Sequence, residues 1–159
     1  GELVSDPNGR PSLIIRQDGT ADLITTNAET DLTGIVTAVS GFTFVLQDGN
    51  VIKGNQSLAP RTGYGLTADK RVLLIVVIDG RQPQYSQGST TGEVGEWLRH
   101  LGAQTGVNMD GGGSTTMAVW KPAGADGEPE AVVQLNRHQG GAERTVGCNL
   151  GFYYLPTAP

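Results

Sequence analysis

Residues 71–110, RVLLIVVIDGRQPQYSQGSTTGEVGEWLRHLGAQTGVNMD, predict a strand, a helix and a second strand. The run 72–78 is continuously apolar, as expected for a strand covered on both faces. Thr90 and Glu93 have the spacing of a helix capping box, and Gly102 is typical of a helix end. An apolar stripe at helical spacing is expected to face the core: Val94, Trp97, Leu98 and Leu101.

This unit also predicts where two acidic residues meet. A strand, a crossover helix and a second strand usually give parallel, neighbouring strands. Asp79 and Asp110 follow the two strands, so both are expected at the carboxyl edge of the sheet, where open α/β sheets bind ligands. Arg81 adds a guanidinium, which can bind phosphate through two hydrogen bonds. Read alone, Asp79 and Arg81 favour a surface ion pair near a turn, whereas their position after a buried strand favours a ligand site.

The rest of the chain is predicted to be mainly β-structure. Two apolar runs surround Asp-Gly at 12–25 and again at 42–53, and this dipeptide favours tight hairpins. We therefore predict an α+β fold in a single domain, 1–159, with N-terminal β-hairpins, the strand-helix-strand unit and a mixed sheet packed on one main helix. Further strands are predicted at 35–40, 114–120, 131–135 and 148–155.

Composition restricts the partners of this protein. The 159 residues carry a net charge of -5, which argues against nucleic acid because phosphate backbones recruit clustered Lys and Arg. A small anion is still compatible with a few placed arginines, and Arg outnumbers Lys by eight to three. The only cysteine, Cys148, excludes a disulfide framework and a cysteine-rich zinc site, and we expect it to be buried. No apolar run has the length of a membrane span.

The segment MDGGGSTTM, 109–117, places an acid before three glycines and three hydroxyl side chains. Backbone N–H groups in a glycine run can surround an anion, with hydroxyls as added donors. A glycine-rich hairpin turn explains the same residues equally well. The P-loop lysine is missing, and the spacing is not that of an EF-hand, so we expect neither a P-loop nor a metal site. The candidate ligand-binding residues are Gly111, Gly112, Gly113, Ser114 and Thr115.

Two carboxylates at one edge suit glycoside cleavage. One can protonate the leaving oxygen while the other attacks the anomeric carbon, activates water or stabilises positive charge. A phosphate leaving group needs less protonation, so positioned N–H groups and arginines would contribute more. The only histidines, His100 and His138, form neither a recognisable catalytic triad nor a zinc cluster. We expect no cofactor and no metal.

Taken together, these motifs resemble the phosphodiester glycosidase family. The resemblance covers about residues 10–155 and rests on Asp-Gly-Arg at a strand end, Ser-x-Gly before a helix, Leu-Gly-Ala after it and Asn-x-Asp-Gly-Gly-Gly-Ser. It implies hydrolysis of a sugar-1-phosphodiester, such as a GlcNAc-1-phosphodiester, with release of the sugar. Matching segments, Pro-Arg-Thr at 60–62 and the later pairs at 136–137 and 143–144, imply further ligand-binding residues: Arg61, Thr62, Asn136, Arg137, Glu143 and Arg144.

Two departures from the family pattern keep other functions open. The family often has His before Pro-Arg-Thr, where this chain has Ala59, and its domains usually carry an N-terminal portion before the point that matches Gly1. We therefore expect either a processed piece of a longer domain or a short version of it, and the partner we expect is a separate N-terminal fragment or a second copy. The alternatives to hydrolysis are a sugar-phosphate or polysaccharide binding module and a structural envelope or phage domain. The resemblance favours a secreted or cell-envelope location and a role in carbohydrate or exopolysaccharide metabolism.

Overall fold

A computed structural model describes residues 2–124, 129–141 and 143–153. The secondary structure comprises ten strands, one α-helix and two single-turn 3₁₀ helices in these residues. In chain order they are β1 (Arg10–Arg16), β2 (Ala21–Thr26), β3 (Ile35–Ser40), β4 (Thr43–Gln47), β5 (Asn50–Val51), β6 (Arg61–Leu66), β7 (Leu73–Ile78), α1 (Thr91–His100), β8 (Thr105–Asn108), a 3₁₀ helix (Gly112–Ser114), β9 (Ala118–Lys121), β10 (Ala131–Gln134) and a 3₁₀ helix (Gln139–Gly141).

The strands form three sheets, of order β2-β1-β3, β10-β9 and β5-β4-β8-β6-β7. Both predicted Asp-Gly hairpins and the strand at 35–40 are confirmed. The α+β class is confirmed too, with helix α1 on one face of the five-stranded sheet. The predicted mixed sheet is wrong, because every strand pair in the described ranges is antiparallel.

The strands on either side of α1 are not neighbours, which corrects the predicted arrangement. β7 and β8 run in the same direction, but β6 lies between them and is antiparallel to both. The antiparallel direction of β6 brings its first residue, Arg61, to the edge where β7 and β8 end. The intervening strand therefore adds an arginine between the two aspartates and does not remove their common edge.

Helix α1 begins with the predicted capping box, since the Thr90 side chain and the Glu93 carboxylate each bond the other's backbone N–H. Val94 and Leu98 are fully buried, but Trp97 and Leu101 are 54% and 51% exposed, so half of the predicted stripe is wrong. The reason is a close approach at Gly95. A β-carbon there would lie 2.2 Å from the Val45 carbonyl oxygen, and this contact turns the helix so that residues 91, 94, 95 and 98 face the sheet.

Two glycines of this helix allow a matched test of the contact. We expect Gly95→Ala to lower the free energy of unfolding by about 1–3 kcal/mol, the usual cost of overpacking, although alanine is the better helix former. Gly92→Ala in the same helix meets only atoms 3.9 Å away, so propensity should leave its stability unchanged or raised. Urea denaturation of both variants measures the difference. Equal stability of the two would show that the helix does not touch β4 at Gly95.

Four smaller expectations are corrected. Of the run 72–78, Leu73–Ile78 form an edge strand whose residues are half-buried, because only β6 pairs with it, and Val72 is exposed. The strand expected at 114–120 begins only at Ala118, since Ser114 ends a 3₁₀ turn and residues 115–117 have no regular secondary structure. Residues 148–153 contain no strand, and positions 154–155 of that prediction lie outside the described residues. Cys148 is exposed. Within the described ranges, no helix is long and apolar enough to cross a membrane.

Candidate functional site

The site lies on the edge of the five-stranded sheet where β7 and β8 end and β6 begins; we call this edge the rim. Arg61 pairs with Ile78 in the register of β6 and β7, so it lies beside Asp79. On its other side, the Met109 N–H donates to the Thr62 carbonyl over 2.8 Å, which places Asp110 next along the rim. The structure thus brings together the two acids and the Arg-Thr pair.

Glycines at the rim give room for backbone contact with residues 59 and 60. A β-carbon on Gly80 would lie 2.6 Å from the Pro60 nitrogen, and one on Gly88 would lie 2.5 Å from the Ala59 carbonyl. A β-carbon on Gly111 would lie 2.7 Å from the Pro60 oxygen. These contacts are with backbone atoms, so a larger side chain could not be accommodated by rotation. Ala59 is 4% exposed and adds no polar group to the rim.

The Asp79 carboxylate is fixed by donors from two other segments. Its Oδ1 accepts from Asn136 Nδ2 and from the Arg137 backbone N–H, each over 3.1 Å. Its Oδ2 accepts from the same N–H over 2.9 Å and from the Tyr85 hydroxyl over 3.2 Å. These contacts occupy most of the acceptor capacity of a carboxylate. Asp79 is therefore held in place and joins the end of β7 to residues 136 and 137.

Both polar atoms of the Asn136 side-chain amide form hydrogen bonds at the rim. In addition to Asp79, its Nδ2 donates to the Thr115 carbonyl over 3.0 Å, and its Oδ1 accepts from the Met117 N–H over 2.7 Å. Next to it, His138 is only 7% exposed and its Nε2 lies 3.2 Å from the Thr116 hydroxyl. Asn136, predicted as a ligand-binding residue, thus holds together the two loops that face the rim.

Asp110 is the more accessible acid, with 59% of its side chain exposed. One carboxylate oxygen accepts from the Gly111 N–H over 2.9 Å, and the other lies 3.4 Å from Arg144 Nη2. Arg144 Nη2 also contacts the Ser114 hydroxyl. Ser114 is half-buried, whereas Thr115 is 2% exposed, so the Thr115 hydroxyl lies beneath the rim and not on it.

The glycine run does not form the expected cradle of free N–H groups. The Gly112 N–H donates to the Pro60 carbonyl, and the N–H groups of Ser114 and Thr115 donate within the run. With the Gly111 N–H on Asp110, four of the five N–H groups of residues 111–115 are already used. The run makes room for cations instead, because Gly112 lies against the Arg81 guanidinium and Gly113 against the Arg144 side chain.

Arg61 and Arg81 are close enough to affect each other. Burial lowers the pKa of the Arg61 guanidinium, and the positive charge of Arg81 lowers it further. Arg61 donates to two backbone carbonyls, those of Ser89 and Ser57, over 3.0 and 2.8 Å. Arg81 Nη1 reaches the Gln139 side chain only at 3.5 Å. In the described part of the chain, neither guanidinium has an ion-pair partner within 4 Å.

The rim is therefore positive on an acidic protein. Four arginines (Arg61, Arg81, Arg137 and Arg144) lie around two aspartates, while the whole chain has a net charge of -5. Glu143, also predicted here, is exposed. The described ranges contain no group of three His, Cys, Asp or Glu side chains that could hold a metal ion. A local excess of guanidinium groups of this kind attracts a small anionic ligand.

Comparison with known proteins places this geometry in a family. A family model for phosphodiester glycosidases matches residues 1–153. The chain belongs to the phosphodiester glycosidase family. No curated protein sequence matches it significantly. A solved structure with a similar fold is the zebrafish N-acetylglucosamine-1-phosphodiester α-N-acetylglucosaminidase catalytic domain, auto-inhibited by its pro-peptide. The two chains share 22% sequence identity, and their structures align with a TM-score of 0.58. The alignment covers 68% of this chain and 41% of the zebrafish chain, so the present chain spans less than half of that relative's length.

The sequence reasoning missed two residues that shape this phosphodiester glycosidase rim. Tyr85 donates to Asp79, and Gln82 Nε2 donates to the Arg137 carbonyl over 2.8 Å. Both lie in the turn that follows Asp79, and their proximity to that acid was the only available signal. The Gln82 contact joins residues more than fifty positions apart, which no local pattern indicates.

Proposed function

We propose that this phosphodiester glycosidase family member is a hydrolase that cleaves a sugar-1-phosphodiester, such as a GlcNAc-1-phosphodiester, and releases the sugar. The observation that carries the proposal is the exposed Asp110 surrounded by arginines on an otherwise acidic chain. The arginines suit the phosphodiester, and a carboxylate suits the anomeric carbon. The name of the zebrafish relative, which describes the same class of bond, supports this substrate.

The two acids have different environments, which supports different roles. Asp79 is held by donors from Asn136, Arg137 and Tyr85, so it is suited to a fixed negative charge that stabilises the oxocarbenium-like transition state. Asp110 is exposed and has one backbone donor and a long contact to Arg144. Its side chain is exposed enough to contact the substrate, and we assign the reacting carboxylate to it.

In the proposed reaction, the bond between the anomeric carbon and the phosphate oxygen breaks. The phosphodiester leaves as a phosphomonoester that keeps this oxygen, and water supplies the hydroxyl of the released sugar. Arg81 and Arg61 would stabilise the negative charge on the phosphate, with Ser114 as a further donor. A phosphate is a good leaving group, so stabilisation of its charge by the arginines takes the place of much of the protonation by a general acid.

Incubation of the purified chain with UDP-GlcNAc and with a simple GlcNAc-1-phosphodiester tests the proposal. We expect free GlcNAc to appear, with inhibition by inorganic phosphate that weakens as salt is added, because the ligand is recognised by charge. Detection of free GlcNAc by a coupled assay measures both effects. Absence of sugar release from both substrates and from other sugar-1-phosphodiesters would contradict a hydrolase.

A binding module is the second candidate. It is favoured by the Arg144 guanidinium, which lies over Asp110 and Ser114 where a reacting group would need access. Calorimetric titration with the same phosphodiesters distinguishes the two functions. Saturable binding that leaves the sugar attached after prolonged incubation would support the module, whereas turnover excludes it.

A further inference from the structure

The turn between β7 and α1, residues 81–86, is strained and lies on the rim. Arg81 and Gln84 have left-handed φ angles of 53° and 69°, two of only four non-glycine residues with positive φ in the described ranges. Such a conformation costs on the order of 1–3 kcal/mol per residue and persists only where the surroundings impose it, commonly at functional sites. The turn is therefore held in a specific shape.

Several contacts impose that shape. Gln82 and Ser86 exchange two backbone hydrogen bonds of 2.9 Å, which close the turn. The Ser86 hydroxyl donates to the Asp79 carbonyl over 2.6 Å, and the Gln82 amide donates to the Arg137 carbonyl over 2.8 Å. These bonds fix the position of Tyr85, which lies inside the closed turn.

Tyr85 contacts the acid that follows β7 and a cation from a distant segment. Its hydroxyl donates to Asp79 Oδ2 over 3.2 Å, and the Arg137 guanidinium carbon lies 4.8 Å from the centre of its ring. A guanidinium above an aromatic ring at this distance is attracted to it. The Tyr85 side chain is 57% exposed, so its burial in a core does not account for its placement. The hydroxyl and the ring therefore make two separable contacts with predicted site residues.

We propose that Tyr85 is a positioning residue of the site, whose hydroxyl orients the Asp79 carboxylate and whose ring holds the Arg137 guanidinium ready for an anionic group of the substrate. The proposal rests on the function proposed above. It divides the role of one side chain: the hydroxyl acts on the chemical step through Asp79, and the ring acts on binding through Arg137. A tyrosine that only filled the turn would show no such division.

Two substitutions separate the contacts. In Tyr85→Phe the ring remains and the hydroxyl is lost, so we expect kcat on a GlcNAc-1-phosphodiester to fall about tenfold with KM within about twofold, as for one lost hydrogen bond to a charged group. In Tyr85→Leu both contacts are lost, and KM should rise by a further factor of about three, the usual effect of an exposed cation–π pair. The matched control is Tyr153→Phe, since the Tyr153 side chain is 83% exposed and should leave both constants unchanged.

The outcome can be read even if the proposed hydrolysis fails. In that case, titration with GlcNAc-1-phosphate should still show about threefold weaker binding by Tyr85→Leu and unchanged binding by Tyr85→Phe. If the leucine variant unfolds, the phenylalanine variant alone tests the proposal through its kcat. Where no hydrolysis is detected, its melting temperature and its binding constant are measured together instead. The proposal is overturned if kcat of Tyr85→Phe equals that of the unsubstituted chain, or if Tyr85→Leu binds or turns over its ligand as that chain does.

Discussion

Asp110→Asn is expected to reduce sugar release roughly 10²–10⁴-fold, the range for loss of a group that takes part in proton transfer or in the reaction itself. Asparagine has the same size and still accepts the Gly111 N–H, so the loop 110–114 should keep its shape. What is lost is the negative charge and the ability to react. Initial rates of GlcNAc release at saturating substrate measure the effect on kcat.

A matched control keeps that result specific. Asp6 is also exposed and lies beside the three-stranded sheet, so Asp6→Asn makes the same change of charge away from the rim and should leave kcat unchanged. The melting temperature of Asp110→Asn should stay close to that of the unsubstituted chain, because the Asp110–Arg144 contact is long and exposed. A kcat within threefold of the control would remove Asp110 from the chemistry and assign the reacting group to another residue of the rim.

The local elements could be predicted from the sequence because their signals are short-range. The capping box of Thr90 and Glu93 and the hairpins at Asp18-Gly19 and Asp48-Gly49 depend on residues within a few positions of each other. The same reasoning placed Asp79 and Asp110 on a common edge. The prediction survived the insertion of β6 because two strands that are both antiparallel to a third still end on the same side.

Long-range pairing could not be predicted in this way. No periodicity shows that β6, which precedes β7 in the chain, lies between β7 and β8. The misassigned helix stripe has the same origin, because the approach of Gly95 to the Val45 carbonyl decides which side of α1 faces the sheet. Gly92 and Gly95 lie in the same helix, and the sequence does not show that only Gly95 has a close neighbour.

The glycine run 111–113 shows how one pattern can have a different physical cause. Free N–H groups and close approach both require glycine, so the sequence cannot separate them. The structure uses the N–H groups of Gly111 and Gly112 internally and places Arg81 and Arg144 against the run. The proposed binding of an anion therefore depends on side-chain guanidinium groups, and conservative substitutions can test it.

Arg81→Gln is expected to weaken binding of a sugar-1-phosphodiester by about 10–100-fold, the usual range for loss of a charged hydrogen-bond donor, without lowering stability. The reason is the neighbouring charge. The pKa of Arg61 is held down by burial and by Arg81, so the two guanidinium groups repel each other when no anion lies between them. Removing one charge relieves this repulsion, and the free energy of unfolding should stay equal or rise slightly. Glutamine is unbranched at the β-carbon, as arginine is, so the left-handed φ of 53° at this position is equally tolerated.

The opposite signs of these two effects make the test decisive. Isothermal titration with GlcNAc-1-phosphate gives the binding constant, and urea denaturation gives the stability. Arg71→Gln is the matched control, because Arg71 is exposed in the loop before β7 and its loss changes the net charge equally. An arginine that merely forms a surface ion pair would lower stability when removed and leave binding unchanged. Lower stability with unchanged binding in Arg81→Gln, or binding equal to that of Arg71→Gln, would place the anion elsewhere on the protein. Weaker binding at equal or higher stability identifies the paired guanidinium groups as the anion site. Their repulsion then lowers the stability of the unliganded fold.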